Sequence, residues 1–137
     1  MIGGYSNYAG GTYANVNGGY DNYVSGYAST VVGGYDNTIA SGSDYATILG
    51  GFQNSISGDW AFITGGKGNV ALGAYASVSG GSSNTASGTG AAVGGGIANT
   101  AAGDSASVIG KGVTVSIGSL CLVFSKIKNL NFCRVLV

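Results

Sequence analysis

Aromatic side chains at regular intervals are the residues of this sequence that could recognise a ligand. Tyr20, Tyr35, Trp60 and Tyr75 recur through the first half of the chain, and small residues take the matching places later. Such rings on one flank could stack on the sugars of a glycan or pack on an extracellular matrix protein. The structural interpretation, which we favour, is that rings stacked at turns cover backbone and stabilise neighbouring segments. These four residues are our candidate ligand-binding residues.

The residue types that catalysis and metal binding need are scarce. The sequence has no His and only 7% charged residues, and it shows no carboxylate pair at a fixed spacing and no serine in a nucleophile motif. The GGYDN segments suggest calcium-binding repeats, but those place Asp at a nonapeptide period. Cys121 and Cys133 are too few for a zinc site, and we expect packed thiols or a disulfide. We therefore expect a protein that is not an enzyme and has no cofactor or metal.

The chain is built from repeats that begin at a glycine pair. The period is fifteen residues, with one unit of seventeen, and the consensus is G-G-x-x-N-x-A-x-G-x-x-A-x-V-x, whose places we call positions 1 to 15. Position 5 is Asn7, Asn22, Asn37, Asn54, Asn69, Asn84 and Asn99. Position 9 is assigned to Gly11, Gly26, Gly42, Gly58, Gly73, Gly88 and Gly103. A degenerate eighth unit follows from Gly110.

Alternation within each unit predicts strands and not helices. Positions 5 and 7 share one face of a first strand, and positions 12 and 14, such as Ala76 and Val78, share one face of a second. Each unit then has two strands of about four residues, which are too short to be stable alone and must stack. The sequence therefore predicts an all-β β-solenoid of about eight 15-residue coils, with Ala and Val inside.

We interpret the repeated asparagines and glycines as structural. Stacked amides can hydrogen-bond to one another and to turn backbone, which every coil needs, although ligand contact is the alternative. Glycines are expected at turn positions that require a positive φ. The structural set comprises Asn22, Asn37, Asn54, Asn69, Asn84, Asn99, Gly26, Gly58, Gly73, Gly88 and Gly103.

The phased unit also carries a family resemblance. The run ALGAYASVSGGSSNTASG, residues 71–88, resembles the YadA-like head repeats of trimeric autotransporter adhesins, and similar repeats occur in phage and viral fibre proteins. The resemblance covers about residues 3–119. It implies a left-handed parallel β-roll, three chains packed side by side as a homotrimer, and a role in surface attachment.

Two segments differ in composition, and we divide the chain into a repeat solenoid, residues 1–119, and a tail, residues 120–137. The tail carries Lys126, Lys128 and Arg134 without an acid, and we expect an apolar cap over the solenoid end. We expect no signal peptide after Met1, no membrane span and no nucleic-acid partner. The resemblance implies a location on a cell surface, outside the cell or in a virion fibre.

Two functions stay open from the sequence, with a third disfavoured. The first is a surface-attachment or fibre module that binds a host or surface molecule through the rod flank. The second is a structural solenoid that forms fibres by end-to-end stacking. Ice binding would need a regular array of threonines, and these fall at several positions of the unit: Thr12, Thr30, Thr38, Thr47, Thr64, Thr85 and Thr89.

Overall fold

The computed structural model describes residues 3–116 and the backbone of residues 120–122. This part of the chain consists of sixteen short strands and contains no helix, so it also contains no helix that could cross a bilayer. The strands form two eight-stranded parallel sheets, in which each strand pairs with the strands of the coils before and after it. The prediction of an all-β parallel solenoid is confirmed, with about seven turns.

The strands alternate between the two sheets along the chain. The odd sheet contains β1 (Tyr8–Ala9), β3 (Tyr23–Val24), β5 (Thr38–Ile39), β7 (Ser55–Ile56), β9 (Val70–Ala71), β11 (Thr85–Ala86), β13 (Thr100–Ala101) and β15 (Thr114–Val115). The even sheet contains β2 (Asn15–Val16), β4 (Thr30–Val31), β6 (Thr47–Ile48), β8 (Phe62–Ile63), β10 (Ser77–Val78), β12 (Ala92–Ile97), β14 (Ser107–Lys111) and β16 (Leu120–Leu122). Coils 1 to 7 begin at residues 3, 18, 33, 50, 65, 80 and 95.

Most strands contain two residues, which is half the predicted length. A fifteen-residue coil must turn twice, and its turns take most of the chain. The longer strands β12 and β14 pair through a register shift between Val93 and Gly95, which marks a bulge in the even sheet. The handedness and the three-chain assembly implied by the resemblance stay predictions.

Small aliphatic side chains fill the space between the sheets. Positions 7, 12 and 14 point inward, as the alternation predicts, and no side chain buried between the sheets in residues 3–116 is larger than Ile. The buried set is Val16, Val24, Val31, Ile39, Ala46, Ile48, Ile56, Ala61, Ile63, Ala71, Ala76, Val78, Ala86, Ala91, Val93, Ala101, Ala106, Val108 and Val115.

Glycine is required for two different reasons in this fold, and the prediction of a positive φ is wrong for position 9. The second glycine of each pair does have a positive φ, as at Gly66 with +86°. Position 9 glycines such as Gly73 do not, but a Cβ on Gly73 would overlap the carbonyl of Gly88 in the next coil. The same close approach of backbones accounts for Gly26, Gly58 and Gly88. At position 9 glycine is required by coil spacing and not by a left-handed conformation.

Coil 3 carries the two extra residues, and their place corrects the repeat alignment. A Cβ on Gly26 would meet the Ser43 carbonyl, so Ser43 and not Gly42 occupies position 9 of this coil. Gly42 has φ +80° and nothing within 4 Å of a Cβ, which places Ser41 and Gly42 in an outward loop. The strands on either side stay in register, since Thr47 pairs with Thr30 and Phe62.

The last strand lies in the segment that the sequence divides off as a tail. Leu120, Cys121 and Leu122 pair with Ser107, Val108 and Ile109 of β14. The remaining tail, residues 123–137, with the predicted cap, its basic residues and Cys133, lies outside the described residues.

Candidate binding surfaces

The asparagines of position 5 form a hydrogen-bonded ladder inside the rod. Asn84, which is fully buried, donates its Nδ2 to the carbonyls of Gly80 at 2.9 Å and Gly96 at 3.0 Å. Its backbone N–H and its Nδ2 also donate to Oδ1 of Asn69, at 3.0 and 3.2 Å, and its own Oδ1 accepts from Asn99. An amide has both donors and acceptors, so the same pattern can repeat from coil to coil. These buried side chains connect coils and do not face a ligand.

The aromatic candidates lie in two separate ladders. Tyr20 and Tyr35 stack at 5.1 Å between ring centroids, in the position 3 turn that leads from the even sheet to the odd sheet. Trp60 and Tyr75 stack at 6.4 Å in the position 11 turn, which leads back from the odd sheet to the even sheet. The two turns lie at opposite edges of the coil, so the four residues do not form one site. Within each ladder a ring face is covered by the next ring, and the edges point outward.

Charged side chains in residues 3–116 lie in the turns, apart from Lys111 at the end of β14. Asp44 and Asp104 occupy position 10, where Oδ1 accepts the backbone N–H of the preceding coil: Tyr27 for Asp44, at 3.1 Å, and Thr89 for Asp104, at 2.9 Å. Lys67 lies at position 3, with Nζ 5.4 Å from the centroid of the Phe52 ring. The outward face of the odd sheet over these residues carries no charge, and Lys111 at the end of β14 is the charged strand residue of the even sheet.

The outward face of the odd sheet is a register-matched array of small side chains. Position 6 follows the buried asparagine of each coil, and the strand pairing sets its residues in one column: Tyr8, Tyr23, Thr38, Ser55, Val70, Thr85, Thr100 and Thr114. Beside it, position 8 contributes a second outward column of Gly10, Ser25, Ala40, Ser57, Leu72, Ser87, Ala102 and Ser116. From Thr38 onward this face has no aromatic residue.

The outward face of the even sheet is less regular. Its two columns include Thr30, Thr47 and Thr64, but Phe62 is exposed among them. Val32 and Leu49 are also exposed there, and the bulge after Val93 interrupts the far end. Of the two faces, the odd sheet offers the longer array without an aromatic residue or a bulge, and Leu72 is its exposed large aliphatic side chain.

The fold and these faces define a class of protein: a small parallel β-solenoid with two outward sheet faces. Residues 9–116, most of the chain, match the model of the family described as grass antifreeze beta roll. The chain belongs to that family. No curated protein matches the sequence.

This match corrects the identification made from the repeat. The identification as a YadA-like adhesin head is wrong. Both kinds of protein stack short glycine-rich coils. The regularly spaced glycine, asparagine and small residues therefore indicate how the coil packs, but they do not distinguish the two families. The surface-attachment role rested on that resemblance. An extracellular location fits the antifreeze family, whereas a place on a cell surface as an adhesin does not follow from it.

The argument against an array of threonines was also wrong for part of the rod. It left out Thr100 and Thr114, which pair with each other and continue the column of Thr85. The signal was available, because Thr38, Thr85 and Thr100 each follow a position 5 asparagine directly. Thr12, Thr30, Thr47, Thr64 and Thr89 do lie at other positions.

Proposed function

We propose that this protein binds ice through the outward face of the odd sheet, from Thr38 to Ser116. The observation that carries the proposal is the position 6 column, in which Thr38, Ser55, Val70, Thr85, Thr100 and Thr114 follow one another in strict register. The family match to antifreeze β-rolls supports it independently.

Threonine suits contact with an ordered water lattice because its side chain is both polar and apolar. The hydroxyl can hydrogen-bond to a fixed water, and water-mediated contacts of this kind are nearly as good as direct ones. The methyl group removes apolar surface from liquid water when the face meets a solid. In a column spaced by about 4.8 Å per coil, these groups repeat along the rod at a constant interval.

The face is held rigid from behind. Directly inside the position 6 column, the buried amides connect each coil to its neighbours, as in the 3.0 Å bond from the Asn99 N–H to the Asn84 Oδ1. A β-branched residue such as Thr also has few rotamers to lose when it makes a contact. The hydroxyls therefore hold their spacing before any ice is present.

The absence of charge on this face, in residues 3–116, supports the same function. A carboxylate or ammonium group would have to give up its own hydration to lie against ice, which is costly for a charge without a partner. The charged residues lie instead in the turns and, for Lys111, at the end of a strand of the even sheet. The surface that would face the lattice and the surface that stays in liquid water are thus separated.

The test is a bulky substitution on each sheet of the same coil. Thr100→Tyr places a ring on the proposed face, and because dispersion contacts weaken steeply with a small gap, it should abolish most of the thermal hysteresis. Ser107→Tyr is the matched control, since Ser107 lies in the same coil and is also half-buried, but on the even sheet. It should leave hysteresis unchanged. Circular dichroism confirms that both variants fold.

Two results would contradict this assignment. Loss of hysteresis in Ser107→Tyr but not in Thr100→Tyr would move the ice-binding face to the even sheet. A folded wild-type protein without hysteresis and without inhibition of ice recrystallisation would reject ice binding altogether.

Assembly stays a proposal. Val31 and Ile48 point inward while the next residues, Val32 and Leu49, are exposed, and this pattern supports a contact with a second copy. Light scattering at micromolar concentration distinguishes the three-chain particle from a monomer, and electron microscopy detects end-to-end fibres.

A further inference from the structure

The aromatic ladder of position 11 stops in the middle of the rod and leaves one ring face open. Tyr45 and Trp60 stack at 4.2 Å, and Tyr75 continues the stack. In the next coil the same position is Gly90. The other ladders end against a side chain: the position 3 ladder against Lys67, and the Tyr8–Tyr23 pair against Thr38. Tyr75 is 63% exposed, compared with 44% for Tyr45.

Gly90 adopts the same backbone conformation as the aromatic residues of position 11, but it has no side-chain ring. Its φ is +65°, against +58° for Tyr75 and +56° for Ser105. The turn hydrogen bonds also continue, since the Gly90 N–H donates to the Ala74 carbonyl and the Ser105 N–H to the Thr89 carbonyl, both at 2.8 Å. A Cβ on Gly90 would find only the Ser105 Oγ within 4 Å, at 3.8 Å. The space between Tyr75 and Ser105 is therefore open.

The dimensions of this gap suit one ring. Two coil intervals separate Tyr75 from Ser105, which is about 9.6 Å at the usual strand spacing. A six-membered ring at the level of Gly90 would lie one coil above Tyr75, within the range of about 4.5–7 Å over which stacked rings interact. We call this gap the Gly90 notch, bounded by Tyr75, Thr89, Gly90, Asp104 and Ser105.

Polar groups edge the notch. The Thr89 and Ser105 hydroxyls lie on exposed residues of the same turn. The Asp104 carboxylate is fixed there, because its Oδ1 accepts the Thr89 N–H at 2.9 Å. Carboxylate and hydroxyl oxygens can accept hydrogen bonds from the hydroxyls of a ligand.

We propose that the Gly90 notch is a carbohydrate site, in which a pyranose ring stacks on Tyr75 and its hydroxyls bond to Asp104, Thr89 and Ser105. A sugar fits better than an aromatic ligand, since a pyranose has an apolar face for the tyrosine and hydroxyls around its rim for the polar edge. The site lies in a turn and not on the odd sheet, so it does not depend on ice binding.

Trp60 reports binding directly, because it is the single tryptophan of the chain and stacks on Tyr75. Cellohexaose and xylohexaose are titrated into the full-length protein while its tryptophan fluorescence is recorded. We expect a saturable change with a Kd of about 1 mM, as for a small, open site. Tyr75→Ser removes the stacking ring and should weaken binding at least tenfold. Serine is compatible with this backbone conformation, because Ser105 adopts it at the same position of coil 7.

Filling the notch is the sharper variant. Gly90→Tyr supplies the missing ring in a backbone conformation that Tyr75 already adopts, and it should abolish binding while the rod stays folded. Tyr35→Ser is the control: it removes a ring from the ladder at the opposite edge, at a position where coil 6 has Ser82, and should leave binding unchanged.

Three outcomes would overturn the proposal. The first is no saturable change with either sugar at its solubility limit. The second is undiminished binding in folded Tyr75→Ser, which remains informative if Gly90→Tyr fails to fold. The third is that p-cresol binds in the notch whereas the sugars do not.

Discussion

The flanks of coils 1 to 5 and those of coils 6 and 7 differ, although small, mainly aliphatic side chains fill the interior of the rod throughout residues 3–116. Position 11 carries Trp60 and Tyr75 in the first region, but Gly90 and Ser105 in the second. Inside, Val31 in coil 2 and Val93 in coil 6 occupy equivalent, fully buried places. Each coil must pack on its neighbours, so the interior is constrained, whereas the flanks are free to vary. We therefore look for function in the flank residues that differ between the two regions.

The outward face of the odd sheet also changes from aromatic to small side chains along the chain, but the change occurs earlier, between coils 2 and 3. Its position 6 column begins with the stacked rings of Tyr8 and Tyr23, 4.7 Å apart, and changes at Thr38 to small side chains. A Cβ on Gly10 would overlap the Tyr8 ring, so this ring covers the outward face of its own coil. The proposed ice-binding face begins where these rings end.

A buried charge in either region should unfold the whole rod. Val31→Asp and Val93→Asp each place a carboxylate without a partner between the sheets, and we expect each to remove the folded state. Loss of the β-sheet signal in far-ultraviolet circular dichroism measures the effect. If one variant unfolds and the other keeps most of its sheet, the two regions are independent units and the shared interior is not continuous.

Loss of one ladder amide should cost the same in both regions. Asn37→Ala leaves the Gly33 carbonyl and the Asn54 N–H without their partner, and Asn84→Ala does the same to the Gly80 carbonyl and the Asn99 N–H. We expect each substitution to lower the unfolding free energy by about 3 kcal/mol. Urea denaturation of the two variants gives the comparison. A much smaller loss for either one would mean that water replaces the ladder there.

Removal of an aromatic ring should matter only where the ladder exists. Trp60→Ser loses its stacking on Tyr45 and Tyr75, and we expect about 1 to 2 kcal/mol less stability. Ser105→Ala at the same position of coil 7 is the control and should be neutral. Equal stability of Trp60→Ser and the wild-type protein would show that the ladder does not stabilise the rod.

The smallest expected effect is a gain in function. Tyr8→Thr with Tyr23→Thr extends the small-residue column over two more coils, so thermal hysteresis should rise modestly. The paired control, Tyr5→Thr with Tyr20→Thr, removes stacked rings from the position 3 turn and should not raise it. A decrease in the first double variant alone would mean that the rings belong to the ice-binding face.

Much of the fold could be predicted from the sequence, because the coil is a local object. The alternation that places Ala76 and Val78 inside is visible within one unit, and stacking follows from its small size. The role of Gly73 was not visible, since its constraint is the approach of Gly88 from another coil. The position 6 column was missed although the repeat phase places Thr38 and Thr85 directly after an asparagine, because hydroxyls at other positions of the unit obscured it.

The family could not be decided by the same argument. Asn84 and Gly88 are needed by any narrow rod with this coil, whatever its surface does. The informative residues are the outward ones, and they repeat imperfectly.

The loop of Ser41 and Gly42 gives the rod a natural grafting point. Its two residues leave the coil at one edge, and the Ser43 N–H closes the turn on the Ala40 carbonyl at 3.3 Å. Because strand pairing continues undisturbed on both sides, a peptide epitope or a fluorophore inserted here would be carried as a side branch. A scaffold of this kind can display cargo at a fixed height along its axis while both of its faces stay clear.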